Sequence, residues 1–143
     1  MKRMILVTIS AFLIMSCGTT TSLYYWGGNK KGTTAYENSA YKNYDKQTPE
    51  SLCQLICIYE DMVKNPGGTR KMPPPGICAE YGYILLIPET AHIFSEYATS
   101  AQKKMLDATD FTQKGKELLE MEIRLYPESI KFVKPLMEKL CDR

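Results

Sequence analysis

The stretch Thr48-Pro49-Glu50-Ser51-Leu52-Cys53-Gln54-Leu55-Ile56-Cys57-Ile58-Tyr59-Glu60-Asp61-Met62-Val63-Lys64-Asn65-Pro66-Gly67-Gly68 decides the fold class. Thr48 offers a capping hydroxyl. Pro49 takes the first helical position, where its missing N–H costs nothing, and Glu50 places negative charge in the first turn. Leu52, Leu55, Ile56, Tyr59 and Val63 follow at steps of three and four, the apolar stripe of an amphipathic helix. Asn65-Pro66-Gly67-Gly68 ends it.

The same period continues on both sides. Upstream, Ala35–Asp45, with Tyr36, Tyr41 and Tyr44, reads as a short helix whose tyrosines suit a core or its rim and are expected to pack on the domain. Downstream, Thr69–Pro74 is a loop closed by Pro73-Pro74-Pro75-Gly76. A helix is expected from Pro75 to Ile87, with Ile77, Cys78, Tyr81 and Leu85 apolar and Ala79 and Gly82 small. Pro88 stops or kinks it. Thr90–Leu106 is expected to be helical, Asp107–Asp110 a break, and Phe111–Tyr126 a further helix. Pro127-Glu128-Ser129 starts a last helix through Cys141, with Pro135 as a point of division. Few segments alternate with a strand period, so the expectation is an all-α domain over residues 23–143.

The N-terminus sets the compartment. Lys2 and Arg3 precede Met4–Met15, a run that is apolar except for Thr8 and Ser10. That is the order of a secretory signal, and Met1–Ser16 is read as one. As a helix the run would be roughly 18 Å long, at about 1.5 Å per residue, against about 30 Å of bilayer hydrocarbon. Leu13-Ile14-Met15-Ser16-Cys17 resembles a lipobox, with an aliphatic residue, a small residue and then cysteine. Met15 departs from the small residue favoured before Ser16. The resemblance implies lipid on the Cys17 sulfur and cleavage before Cys17. One acyl chain binds a membrane marginally, whereas two or three anchor durably. Residues 17–22 then form a lipidated polar tether. No acidic residue follows Cys17 directly, which by analogy with sorting rules favours the outer membrane, facing the periplasm.

Composition excludes some partners. The chain has 18 basic and 16 acidic residues; without Lys2 and Arg3 the balance is 16 against 16. A neutral mature chain lacks the basic surface that nucleic-acid binding or a polybasic membrane patch requires. The expected contact with the membrane is therefore the lipid on Cys17.

Four cysteines follow Cys17: Cys53, Cys57, Cys78 and Cys141. An exported chain meets oxidising conditions, so all four are candidate disulfide residues. Free buried thiols are the competing reading. A four-thiolate zinc site fits poorly, because the spacing offers one Cys-x3-Cys and two isolated cysteines. No metal or other cofactor is expected.

Part of the layout resembles a tetratricopeptide-like helical hairpin. Tyr81-Gly82 with Leu85 matches a first helix, and Gly115, Leu119 and Pro127 match the small, apolar and proline positions of a second. Residues 89–110 would then be an insertion. Further motifs run along the mature chain: Tyr24-Tyr25-Trp26-Gly27, then Pro74-Pro75-Gly76-Ile77-Cys78-Ala79-Glu80-Tyr81-Gly82-Tyr83, then Glu122-Ile123-Arg124-Leu125-Tyr126-Pro127-Glu128-Ser129. In these the chain resembles a family of small bacterial lipoproteins classed as a domain of unknown function. Its members carry Tyr-x-Trp-Gly, Pro-Pro-Gly-x-x-Ala-x-x-Gly-Tyr and Glu-x-x-x-x-Pro-Glu-Ser. The resemblance implies a role in an envelope assembly, beside a curli-secretion-channel-like lipoprotein, and carries no catalytic residue. The insertion and the extra cysteines depart from the family pattern.

Catalytic chemistry finds little support. His92 is the single histidine, with Glu89 and Glu96 at helical steps, and a partly exposed helix histidine explains it without chemistry. Glu117, Glu120, Glu122, Lys114 and Lys116 read as a solvated helix face. Asn65-Pro66-Gly67-Gly68 lacks the lysine and spacing of a phosphate loop. Tyr24, Tyr25 and Trp26 are candidate partner-binding residues, able to stack on a glycan or a protein. The competing reading packs them onto the helices. The expectation is a non-enzymatic lipoprotein that binds an envelope protein partner. The alternative is a periplasmic lipoprotein holding a glycan or small apolar molecule near Trp26, and a hydrolase around His92 is the weakest reading.

Overall fold

A computed structural model describes residues 21–30 and 32–141. The expected signal segment, the lipidation site Cys17 and most of the tether lie outside the described residues. Those described form seven α-helices: α1 (Ala35–Lys46), α2 (Pro49–Lys64), α3 (Ile77–Leu86), α4 (Pro88–Tyr97), α5 (Ser100–Met105), α6 (Phe111–Leu125) and α7 (Ile130–Cys141). The all-α expectation holds. One small exception is a two-stranded antiparallel ribbon, β1 (Asn29–Lys30) with β2 (Thr33–Thr34), near the start of the region expected to be helical.

α2 begins as its sequence implies. The Thr48 side chain accepts from the Ser51 amide, and the Ser51 hydroxyl accepts from the Thr48 amide. This reciprocal pair satisfies two donors that the first turn leaves open. Cys53, Leu55, Ile56, Tyr59 and Met62 are buried along it. α1 has a matching box between Thr34 and Glu37.

α3 starts at Ile77, two residues later than expected, and Pro88 stops it rather than kinking it. Ile87 ends α3 and precedes α4, with Pro88 in the first turn of α4. The expected helix over Thr90–Leu106 is two helices, broken at Ala98 and Thr99. The Thr99 side chain caps α5 by accepting from the Gln102 amide. Asp107–Asp110, expected as a break, holds a 3₁₀ turn over Ala108–Asp110. Pro127–Ser129 is a second 3₁₀ turn that leads into α7. Pro135 lies inside α7 without dividing it.

The most extensive helix pairing joins α3 to α6. The pairing is antiparallel: Gly76 at the start of α3 bonds to Glu122 near the end of α6, while Leu86 at the end of α3 lies against Gly115. These are the two helices whose Gly82 and Gly115 positions resemble a tetratricopeptide hairpin. Residues 89–110 are part of the core, because Phe94 of α4 packs on Phe111 of α6 with ring centroids 5.2 Å apart. α1 and α2 form a second hairpin, which α2 connects to α3 and α4. α7 packs on α6 and α3 and buries Val133, but leaves Ile130 and Phe132 exposed.

Candidate functional site

The N-terminal aromatic segment is held against the helices. Trp26 packs on Tyr36, with centroids 5.5 Å apart. Tyr36 meets Tyr59 at 5.8 Å, and Tyr59 stacks on Tyr81 at 5.5 Å. This aromatic ladder runs from the half-buried Trp26 to the buried Tyr81. The Tyr25 hydroxyl donates to Asp61 Oδ2 at 2.8 Å, and that bond, with burial, pushes its ionisation up. Tyr24 is half-buried. Thus Tyr24, Tyr25 and Trp26 are all engaged with the domain.

Two carboxylates organise the interior, and neither follows from reading charge as exposure. Glu60 is 1% exposed. It receives the Tyr81 hydroxyl at 2.9 Å, Lys114 Nζ at 2.7 Å and Lys64 Nζ at 2.8 Å. Burial pushes its carboxyl up, but the three donors outweigh burial and hold it below the ordinary range. Lys114 Nζ also lies 5.9 Å from the Tyr81 ring centroid. Tyr36 and Tyr59 both donate to Glu80 Oε2, at 2.8 Å and 2.7 Å. Burial, with that bond to Glu80, pushes Tyr36 up to about 12.

Glu122 is also 1% exposed. Its Oε1 accepts the Gly76 amide at 2.8 Å, so it supplies the cap that the start of α3 lacks in its own sequence. Among the described residues, Oε2 has no hydrogen-bond partner. Burial raises its pKa, and the amides at the start of α3 offset this only in part. The sequence expectation of a solvated face therefore holds for Glu117 and Glu120, which are exposed, and is corrected for Lys114 and Glu122. Lys114 turns toward Glu60 and Glu122 turns into the α3–α6 interface. Two of the motifs that carry the family resemblance meet here, since Gly76 and Glu122 belong to different ones. The Tyr126 hydroxyl adds a second link by donating to the Pro73 carbonyl at 2.6 Å.

The disulfide expectation is corrected for three of its four residues. Cys53, Cys57 and Cys78 are free thiols. Cys53 and Cys57 lie one turn apart on α2, with Lys103 and Gln102 of α5 among their charged and polar neighbours. Cys78, on α3, has Glu122 and Arg124 of α6 in those positions. The two environments belong to different helix interfaces, so no bond joins them. Burial pushes the Cys57 thiol up to about 11 and Cys78 up to about 12. Cys141 ends α7, and its side chain lies outside those described.

His92 lies on the outer face of α4, with its side chain 81% exposed and Nε2 3.4 Å from Glu96 Oε2. Among the described residues, no group of three or more His, Cys, Asp or Glu is placed to hold a metal ion. Among them, too, no helix is long and apolar enough to cross a membrane.

The sequence expectation that Tyr36, Tyr41 and Tyr44 pack on the domain holds for Tyr36 and is corrected for Tyr41 and Tyr44. Tyr41 and Tyr44 stand three residues apart on α1, 72% and 81% exposed. Tyr44 borders a cleft of about 390 Å³ whose floor and walls include Pro49, Leu52 and Ile93. The pair lies on the solvent side of the helix whose other face buries Ala35 and Ser39. Tyrosine fits both a core and an exposed edge, so residue type alone does not decide between them.

Comparison of the chain with protein-family models, with curated proteins and with solved structures found no match.

Proposed function

We propose that this chain is a non-enzymatic bacterial lipoprotein, exported on Met1–Ser16, anchored through lipid on Cys17, and acting at the outer membrane by binding an envelope protein partner. The charged, apolar and small-residue order of the first 17 residues supports the anchor. The resemblance of its motifs to small envelope lipoproteins points to an assembly beside a curli-secretion-channel-like lipoprotein.

The observation that carries the partner reading is the uncovered aromatic pair beside the Pro49–Leu52–Ile93 cleft. Isolated exposed apolar residues need no explanation, but adjoining aromatics beside an apolar cleft are the usual anchor points of a protein interface. Such a surface would accept an apolar side chain of a partner in the cleft beside the Tyr44 ring, with Tyr41 one turn away on the same helix.

Gentle detergent solubilisation followed by affinity purification tests this. The native chain should bring down a stoichiometric envelope protein, and Tyr41→Ala/Tyr44→Ala should lose it. A native chain recovered only as a free monomer overturns the partner reading. Mass measurement of the mature N-terminus tests the anchor separately: an unlipidated Cys17, or cleavage elsewhere, overturns it.

A further inference from the structure

The first described residues are fixed to one end of the domain. The Thr69 amide donates to the Ser22 carbonyl at 3.1 Å, and the Arg70 amide to the Leu23 carbonyl at 3.0 Å. Gly68 allows the approach. It has φ +75°, and a Cβ there would lie 2.6 Å from the Leu23 carbonyl carbon and oxygen, with no room to move. Tyr25 and Asp61 secure the next turn of chain. The chain therefore enters the domain at the C-terminal end of α2.

Five residue steps separate Cys17 from Ser22, and fully extended chain spans at most about 18 Å over that distance. If Cys17 carries the lipid, as proposed above and on which this inference rests, the loop after α2 cannot stand far from the bilayer. That loop exposes Arg70 and Lys71, and beside it Leu23 is 56% exposed. The nearby carboxylate, Asp61, is occupied by Tyr25 and Asn65. Lys64, on the last turn of α2, is paired with Glu60.

We propose that Leu23, Arg70 and Lys71 form the face on which the anchored domain rests, and that this face takes the headgroups of an anionic phospholipid surface. Two cations are too few to anchor a neutral protein. They are enough to select which face of a tethered one turns to an anionic surface, while Leu23 enters the interfacial layer. α2 has 16 residues, so its N-terminal end lies about 24 Å along the helix from the loop that carries Arg70 and Lys71. Tyr44, beside that end, is then presented away from the membrane.

Trp26, the one tryptophan, is three residues from Leu23 and reports on this contact. The lipidated protein, purified from bacterial membranes, is reconstituted on phosphatidylcholine–phosphatidylglycerol vesicles that carry a headgroup nitroxide lipid. Trp26 fluorescence should be quenched there. Most of the quenching should be lost on pure phosphatidylcholine vesicles and in the Arg70→Glu/Lys71→Glu variant, while both samples still float with the vesicles. Both substituted side chains are exposed, so circular dichroism should match that of the native chain. A floating protein with no quenching, or with quenching unchanged by lipid charge and by the variant, overturns this face and leaves the anchor standing. A native protein that does not float overturns the anchor itself, and the face with it.

Discussion

Gly82 on α3 and Gly115 on α6 face each other where the two helices cross: a Cβ on Gly82 would lie 2.8 Å from the Gly115 carbonyl oxygen, and a Cβ on Gly115 would lie 3.1 Å from that of Gly82. The central pairing of the domain therefore depends on two missing side chains. The two positions are not equivalent. Gly82 meets backbone first, then Leu119 and Leu118, whereas Gly115 meets the Leu86 side chain first, at 2.7 Å.

Gly82→Ala should destabilise the domain by about 1–3 kcal/mol, because a backbone oxygen cannot rotate aside and the helices must separate. Gly115→Ala should cost less. Leu86 can change rotamer, whereas the helix propensity that alanine recovers, up to about 1 kcal/mol relative to glycine, is common to both sites. Urea unfolding of the two variants measures the order. Equal stabilities, or Gly115→Ala as the weaker protein, would refute this account of the crossing.

The Glu60–Lys114 bond ties α2 to α6 through buried charge, and its removal should be costly. Glu60→Gln should lose on the order of 2–3 kcal/mol, since Lys114, Lys64 and Tyr81 all lose a charged acceptor. Lys114→Met should cost about 1–2 kcal/mol, since Lys64 and Tyr81 still serve Glu60. The pH dependence follows from the lowered folded pKa of Glu60. Its contribution is complete above the ordinary carboxyl value of 4.5 and is lost as pH falls through the folded value. Thermal melts across that window should show native stability falling toward acid, with a smaller fall in Glu60→Gln. Parallel curves for the two proteins would rule out a stabilising role for the Glu60 charge.

Much of this architecture can be read in the chain, and the parts that cannot have identifiable causes. α2 is legible because capping residue, proline and apolar stripe agree. The boundary at Pro88 is legible because proline has no N–H for the ladder. The break before α5 carries a signal, Thr99-Ser100-Ala101-Gln102, which is a capping box. The apolar period running through it on both sides conceals it. Glu60 follows Leu52 and Ile56 at steps of four, and Glu122 follows Leu118 by four, so both occupy core positions of their stripes. Their burial is invisible to any reading that takes charge as exposure. Such a reading fails because the compensating donors, Lys114 and Gly76, are 54 and 46 residues away. The cysteines fail for a related reason: an even count and an expectation of export speak for pairing, but which helix faces meet is a tertiary fact. At the candidate site, residue type placed Tyr24, Tyr25 and Trp26 among possible contacts, while the exposure of Tyr41 and Tyr44 follows from which face of α1 meets α2.

Glu122 should behave in the opposite sense to Glu60. Burial raises its folded pKa, so its contribution is complete below the ordinary value of 4.5 and is lost as pH rises through the folded value. Glu122→Gln keeps an acceptor for the Gly76 amide and removes the buried charge. Its melting temperature should exceed the native one by a few degrees at neutral pH, and the gain should vanish toward acid. A neutral-pH melting temperature below the native one would mean that the carboxylate charge is needed at the start of α3.

The thiols allow a test that needs no substitution. Cys53 and Cys78 are about 1% and 0% exposed, and burial raises both pKa values. The thiolate is the reactive form, so both should be inert to a disulfide reagent in the native state and react at the rate of unfolding. Cys57 is half-buried and should react sooner, though slowly for a thiol pushed up to about 11. Denaturant should expose all three in a chain purified without reductant. Reductant should leave the melting temperature unchanged where these three residues are concerned. Titration of fewer than three thiols in the unfolded, unreduced chain would place one of them in a disulfide and overturn the free-thiol arrangement.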